Sequence, residues 1–505
     1  MGVIARQTIK GSVANYLGIA IGFVTTFFVL TDCLSPEEIG LTRILVDASL
    51  LFTSLAQLGT SSSIIRFYPY FKDSDSNDHG FFAYSILLPL IGFALFTVFF
   101  FLCKQNIIEL YADKSPLFTE YVYILLPFTF FALYLGIFEN NANVLMRIAV
   151  PKFVREVCIR VINLVLYILY GNHIISIDLF VILFCGSYGA ATLLDFLYLL
   201  ALGRVSFRID LHFPSRKLIK DIATYTLMVT VMGITGNIQL LNSLFLGAQG
   251  GLAMAGIYTI ANYIASVVGV PSRSLSAISN PMIAQAVKEN NITEVNRLCK
   301  QVSLHQLLAG SLVYFFIIIN LDVLFKIIPN GELYDAGISV VLILGFSNTI
   351  AQMLSPIFSV LSFSKSYGYS LPFSLMLSVI SILLNLYLIP LFGINGAAIA
   401  TFSATLIYYA LGYVFTYWKL HLNVLSRKHL VVAALMCVLI ALNFVWKMFV
   451  SPLFGDTSST AGALVEAVCK TLVMGIITVW ATYKLNISDN INDIILKFMR
   501  AIVRK

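Results

Sequence analysis

Fourteen apolar stretches follow one another along this chain, separated by short polar breaks. A helix that crosses the hydrocarbon layer needs about 20 mostly apolar residues. By that measure the spans are 12–32, 40–66, 81–103, 118–138, 153–170, 177–202, 219–246, 252–280, 302–320, 336–361, 368–390, 394–418, 429–450 and 461–484. Two are less regular: 153–170 carries charge, and 219–246 is rich in Thr, Gly and Asn. Only 11% of the chain is Asp, Glu, Lys or Arg, against about 25% in soluble domains. The fold class predicted is an all-α polytopic membrane protein of about 14 transmembrane helices.

Several function classes drop out. The seven cysteines are scattered and form no CxxC, and the six histidines have no metal spacing, so neither a disulfide framework nor a metal site is expected. No cofactor is expected either. No Walker sequence occurs, which argues against an ATP-driven pump. The start, MGVIARQTIKGSVANYLG, shows no signal-peptide cleavage site, and Arg6 stands where a myristoylation motif needs Ser or Thr.

The basic residues orient the chain. With the N-terminus in the cytoplasm, the inner segments hold 24 Lys and Arg, while the outer ones hold only Lys104, Lys114, Lys326 and Lys447. This is the positive-inside pattern, and with an even span count it puts both termini in the cytoplasm. The net charge of +7 then belongs to the anionic inner leaflet rather than to nucleic acid.

The chain also repeats itself. Gly40 and Gly256, 216 residues apart, each open a span after a short outer turn. Asn163 precedes Gly171, and Asn385 precedes Gly393, by eight residues each at a span end. A period of about 220 residues predicts two like-oriented, pseudo-symmetric six-helix lobes, an arrangement that recurs in transporters with the substrate site between the halves. The expected organisation is a first lobe at 1–203, a basic linker at 204–218, a second lobe at 219–420, two extra helices at 421–484 and a basic amphipathic tail at 485–505.

Charge inside a span is costly and usually functional. Arg43 and Asp47, four residues apart on one helix face, read either as a self-satisfied pair or as a ligand-binding arginine with its charge partner. Arg273, two residues after Pro271 and with no acid nearby in sequence, reads as a cavity cation or as a side chain reaching for the inner interface. Arg66 lies 23 residues beyond Arg43, about 34 Å along a straight helix, at the inner mouth. Arg160 and Asp195 are expected to form an inner structural network with Glu156 and Glu139. Asn163 and Asn385 are expected to bond between helices.

The segments NYLGIAIGFVTTFFVLTDCLSPEEIGLTRI, SSSIIRFYPYF, the basic mid-chain linker and YTIANYIASVVGVPSRSLSAISNPMIA together resemble the Wzx-type oligosaccharide flippases of the MATE-like (multidrug, oligosaccharidyl-lipid and polysaccharide export) superfamily. The resemblance covers nearly the whole chain and rests on layout and loosely patterned motifs. It implies two six-helix lobes around a central cavity, with the last two helices forming a groove for a lipid tail. It implies that an undecaprenyl-diphosphate-linked oligosaccharide moves from the inner to the outer leaflet of the bacterial inner membrane by alternating access. Such a unit would serve O-antigen (lipopolysaccharide), capsule or exopolysaccharide assembly, beside other polysaccharide-assembly membrane proteins. Arg43 and Arg273 match the cavity arginines of these relatives in placement. On this reading Arg273, Arg43 and Arg66 meet the diphosphate, because the guanidinium fork binds phosphate bidentately and stays charged. Asn15 and Asn262 offer amides to sugars. Asp47 or Asp195 would be the coupling or charge partner, with H+ or Na+ as the ion. Spans 7 and 11 hold no interior acid, against a sodium site of the kind some relatives have. The rivals are a multidrug exporter of the same superfamily and a peptidoglycan lipid II flippase. A membrane glycosyltransferase would need a sizeable outer loop carrying paired carboxylates, and none is present.

Overall fold

A computed structural model describes residues 3–73, 77–203, 205–208, 210, 213–454, 460–488, 492–493 and 496. Among them every regular element is a helix. Thirteen helices among the described residues are long and apolar enough to cross a membrane, from Val13–Cys33 to Gly462–Lys484. They correspond to every expected span except 153–170. There the chain is helical too, through Ala149–Phe153, a wider π turn at Val154–Cys158, and Ile159–Gly171. It is long enough to cross, and its charges Lys152, Arg155, Glu156 and Arg160 set it apart. The tail expected at 485–505 lies mostly outside the described residues.

Those charges find partners on different helices. Arg160 donates to Glu156 (3.0 Å) and to the Gly18 carbonyl of Val3–Val24 (2.7 Å). Arg155 donates to Glu139 (2.8 Å) on Leu125–Val144. The expected inner network gains Arg155 as a further member, within electrostatic range of Glu139, Glu156 and Asp195, and its hydrogen bonds fall into two pairs. Five residues apart, Arg155 and Arg160 leave different faces of their helix, and Arg155 takes Glu139. Asp195, on Ile177–Ala201, is buried within electrostatic range of Glu139 and Arg155, yet neither carboxylate oxygen has a hydrogen-bond partner among the described residues.

The chain forms two compact units, Met1–Thr259 with Asn385–Ile394, and Ile260–Leu384 with Asn395–Lys505. The helices that matter most below are labelled α1 (Pro36–Ala56), α2 (Thr60–Phe71), α3 (Arg216–Gly236), α4 (Leu241–Gly250), α5 (Leu252–Ser266) and α6 (Val270–Lys288).

In the first unit, α1 starts sharply. Ser35 accepts from the Glu38 amide and Glu38 accepts from the Ser35 amide, with Pro36 at the first helical position. The start of α1 meets the start of α5 at the two repeat glycines. A Cβ on Gly40 would lie 1.9 Å from the Leu252 carbonyl oxygen, and one on Gly256 would lie 1.9 Å from the Pro36 oxygen. Pro36 and Leu252 are themselves 216 residues apart. The two contacts therefore exchange under the repeat, as the two halves of an isologous contact do. No side chain larger than hydrogen fits at either point.

The second unit is built around Ile283, Cys299, Ile357 and Val424, and around Leu308, Phe315, Leu439 and Met474. Its polar core is directional. His429 Nδ1 accepts from the Ser426 amide (3.0 Å), which leaves Nε2–H to donate to Ser303 Oγ (2.9 Å), and Ser303 donates to the Met353 carbonyl (2.7 Å).

Gly40→Ala and Gly256→Ala should each lower the stability of the detergent-purified protein by about 1–3 kcal/mol, the usual cost of overpacking. Gly136→Ala, where an added Cβ meets nothing within 4 Å, should leave the melting temperature unchanged or raise it, since Ala is the better helix former. Equal melting of Gly40→Ala and wild type would show that the α1–α5 contact is looser than described.

Candidate functional site

Three of the long helical stretches are interrupted. Between α1 and α2 the chain turns through Leu58 (φ 45°) and Gly59 (φ 68°), left-handed conformations that cost a β-carbon-bearing residue energy. The turn sits on α3: a Cβ on Gly59 would lie 2.4 Å from the Thr226 oxygen, and the Ser63 and Thr226 hydroxyls are 2.8 Å apart. The expected single span 40–66 is thus two helices, and the straight-helix separation of Arg43 from Arg66 does not apply. Between α3 and α4 the chain passes through Asn237 and a tight turn at Ile238–Leu240. Asn237 Nδ2 donates to Ser54 Oγ (2.6 Å) and to the Gly233 carbonyl (3.3 Å). Between α5 and α6 lies Val267–Gly269, just before Pro271, which has no amide hydrogen to give. Here two amides of Ile338–Leu354 stand in for the missing donors: Asn348 bonds the Ala265 carbonyl and Gln352 the Val268 carbonyl, each at 3.0 Å. Irregular backbone survives in membrane helices only where protein or a watery cavity satisfies it.

A polar cluster lies where α1 faces α4. Arg43 donates through Nε to Asp47 Oδ2 at 2.7 Å. Ser243 of α4 donates to the same oxygen at 2.5 Å and stands 2.9 Å from the Leu240 carbonyl. Asp47 is 1% exposed, its Oδ1 has no hydrogen-bond partner among the described residues, and the Arg43 side chain is 25% exposed. Next to Ser243, the Asn242 amide donates to the Tyr258 hydroxyl (3.1 Å), and Asn385 donates to the Asn242 carbonyl oxygen (3.0 Å). A partly exposed guanidinium with its carboxylate and, one residue along α4 from Ser243, a set of bonded amides and a phenol thus lie inside helices of membrane length.

The sequence profile described as "Polysaccharide biosynthesis protein" matches residues 4–287. The chain belongs to that family. Among solved structures, this family member is similar to one described as "Lipid II flippase MurJ, inward closed conformation", with 14% identity, 94% of this chain and 99% of that one covered, and a TM-score of 0.73. It is also similar to an inward-facing multidrug resistance MATE family transporter of the MOP superfamily, with 16% identity, 80% and 98% covered, and a TM-score of 0.57. A point mutant of the Vibrio cholerae MATE transporter VcmN aligns at 14% identity over 82% and 97%, with a TM-score of 0.51. No curated protein matches the sequence. This polysaccharide biosynthesis protein shares the fold of those solved structures.

The remaining predicted residues are dispersed. Arg66, exposed on α2, lays its guanidinium 4.2 Å over the Tyr225 ring of α3 and 5.5 Å from Phe67. Arg273 is exposed in the first turn of α6 and makes no hydrogen bond or ion pair among the described residues. Asn262 is half-buried on α5, and Asn15 is exposed on Val3–Val24. Asn385 bonds between helices as expected, whereas Asn163 leaves its buried Oδ1 without a partner among the described residues. Two sets of residues escaped the sequence. Ser243 carried no signal, being one serine 196 residues from Asp47. Asn348 and Gln352 did carry one, two amides four apart on one face of an apolar helix.

Replacing Gln352 by Leu strips the Val268 carbonyl of its donor and should cost about 1–3 kcal/mol of stability, the penalty for an orphaned buried polar group. Asp195→Asn removes no hydrogen bond and should melt as the wild type does. Thermal unfolding of both variants in one detergent tests this, and a Gln352→Leu protein as stable as wild type would show that the break does not depend on that amide.

Proposed function

We propose that this transporter flips an undecaprenyl-diphosphate-linked oligosaccharide, the repeat unit of a surface polysaccharide, from the inner to the outer leaflet of the bacterial cytoplasmic membrane. The observation that carries the reading is the Arg43 cluster, in a chain of the polysaccharide biosynthesis family. A lipid-linked sugar brings a diphosphate, which needs fixed positive charge held away from bulk water. It also brings hydroxyls, which need amides and aromatic rings. Arginine meets the first need without risk of deprotonation, and the amides of Asn15 and Asn262 are assigned to the second.

In the proposed cycle the lobes 1–203 and 219–420 alternate access, with both termini in the cytoplasm. Arg66 meets the diphosphate at the inner mouth, and Arg273 and Arg43 hold it during passage. Asn15 and Asn262 bind sugar, and Asp195 is available as a proton-carrying group because its carboxylate has no hydrogen-bond partner among the described residues. The unit released outside passes to other membrane proteins of polysaccharide assembly.

Deletion of the gene should remove one surface polysaccharide and leave its lipid-linked unit on the inner leaflet, and the wild-type gene should restore both. Complementation with Arg273→Ala or Arg43→Ala should restore membrane insertion but less than about a tenth of the export, given the worth of a charge-assisted phosphate contact. Full export by both variants would remove these arginines from the path. An unchanged surface with altered tolerance to cationic dyes would point instead to drug export, and lysis with a cell-wall block to lipid II.

A further inference from the structure

Arg43 is not waiting with an open face: its Nε is already engaged by a carboxylate of its own helix. We infer that Asp47 is the resting counter-ion of Arg43, displaced when a polyprenyl diphosphate takes its place, and that substrate binding is linked to proton uptake on Asp47. The inference rests on the reading of this cluster as a diphosphate site.

The chemistry of the displaced group carries the argument. Asp47 is buried, its Oδ1 bonds to nothing among the described residues, and its Oδ2 receives both Arg43 and Ser243. Among the described residues those two are the charged and polar groups bonded to the carboxylate: Arg43 from its own helix α1, and the Ser243 hydroxyl from α4. When Arg43 turns its fork to a diphosphate, Asp47 is left with one hydroxyl. An anion so placed, in the interior of a membrane protein, is strongly unfavourable. A proton from water removes the charge.

Ser243 provides the acceptor for that proton. It has one hydroxyl hydrogen and two acceptors within reach, Asp47 Oδ2 at 2.5 Å and the Leu240 carbonyl at 2.9 Å. A hydroxyl donates to one of them at a time and accepts through its lone pairs. With Asp47 ionised, Ser243 donates to the carboxylate. With Asp47 protonated, the acid donates to Ser243 Oγ, and Ser243 turns its hydrogen to Leu240. Both states are satisfied by the same heavy-atom positions. The proton leaves again when the diphosphate departs and Arg43 returns to Asp47.

Uptake of one proton on binding makes affinity rise as pH falls, by about tenfold per pH unit where Asp47 is ionised in the free protein. Farnesyl diphosphate is a suitable probe, titrated by calorimetry into the full-length protein in nanodiscs, between pH 6.5 and 8.5, in buffers of different ionisation enthalpy. Wild type should take up about one proton more per probe bound than Asp47→Asn, which cancels the titration of the probe itself. Asp47→Asn, having lost the competing carboxylate, should bind more tightly than wild type at pH 8. Ser243→Ala, which keeps the carboxylate but removes the acceptor for its proton, should bind more weakly than wild type at low pH, and it serves if Asp47→Asn does not fold. Equal proton counts in wild type and Asp47→Asn, with binding intact, would overturn the linkage and leave the flippase reading standing. Undiminished binding by Arg43→Ala would overturn both the linkage and the assignment of the diphosphate to this cluster.

Discussion

In hydrocarbon a backbone group without a partner, or a charge without a counter-charge, costs several kcal/mol. The departures of this chain from plain apolar helix are arranged around that cost. The charged span 149–171 gives Arg160 to Glu156 and Gly18, and Arg155 to Glu139. The break before Pro271 hands its carbonyls to Asn348 and Gln352, and the break at Asn237 is tied to Ser54. Asp47 and Asp195 are the two places where the described residues leave buried carboxylate oxygens unmet. At such places a proton or a ligand can supply what the protein does not.

The contact at Gly40 and Gly256 gives the internal repeat a physical form. Two helix starts approach until each backbone lies against the other, and the same pair of positions, shifted by the repeat, makes each half of the contact. A repeat detected only as spacing could be chance. A reciprocal contact at the repeat's own anchor positions is harder to obtain without an approximate two-fold relation between these helix starts.

Much of the architecture was legible because lipid permits so little. Span number, fold class and the Arg43–Asp47 pair followed from length, polarity and helical spacing, each a local property. The site was legible in part. Arg43 and Asp47 were visible as a pair of charges in an apolar run, but the Ser243 hydroxyl that meets Asp47 was not. The helix break at Leu58–Gly59 was missed because Leu58 does not advertise a left-handed conformation. The inner network was legible as a set of charges, but Arg155, which takes Glu139, was not placed in it, because no spacing rule ranks two arginines five residues apart.

The sequence by itself determined that this chain lives in a membrane, how its helices are spaced along it, and which side chains would be expensive there. Hydrophobic length and charge cost act residue by residue, so they can be summed along a line. Only the tertiary structure decided who meets those expensive groups: Ser243 at Asp47, Asn385 at Asn242, Gln352 at the Val268 carbonyl. A hydrogen bond is won or lost within a few tenths of an ångström, and residues 84 to 196 positions apart reach that range only through the packing of whole helices.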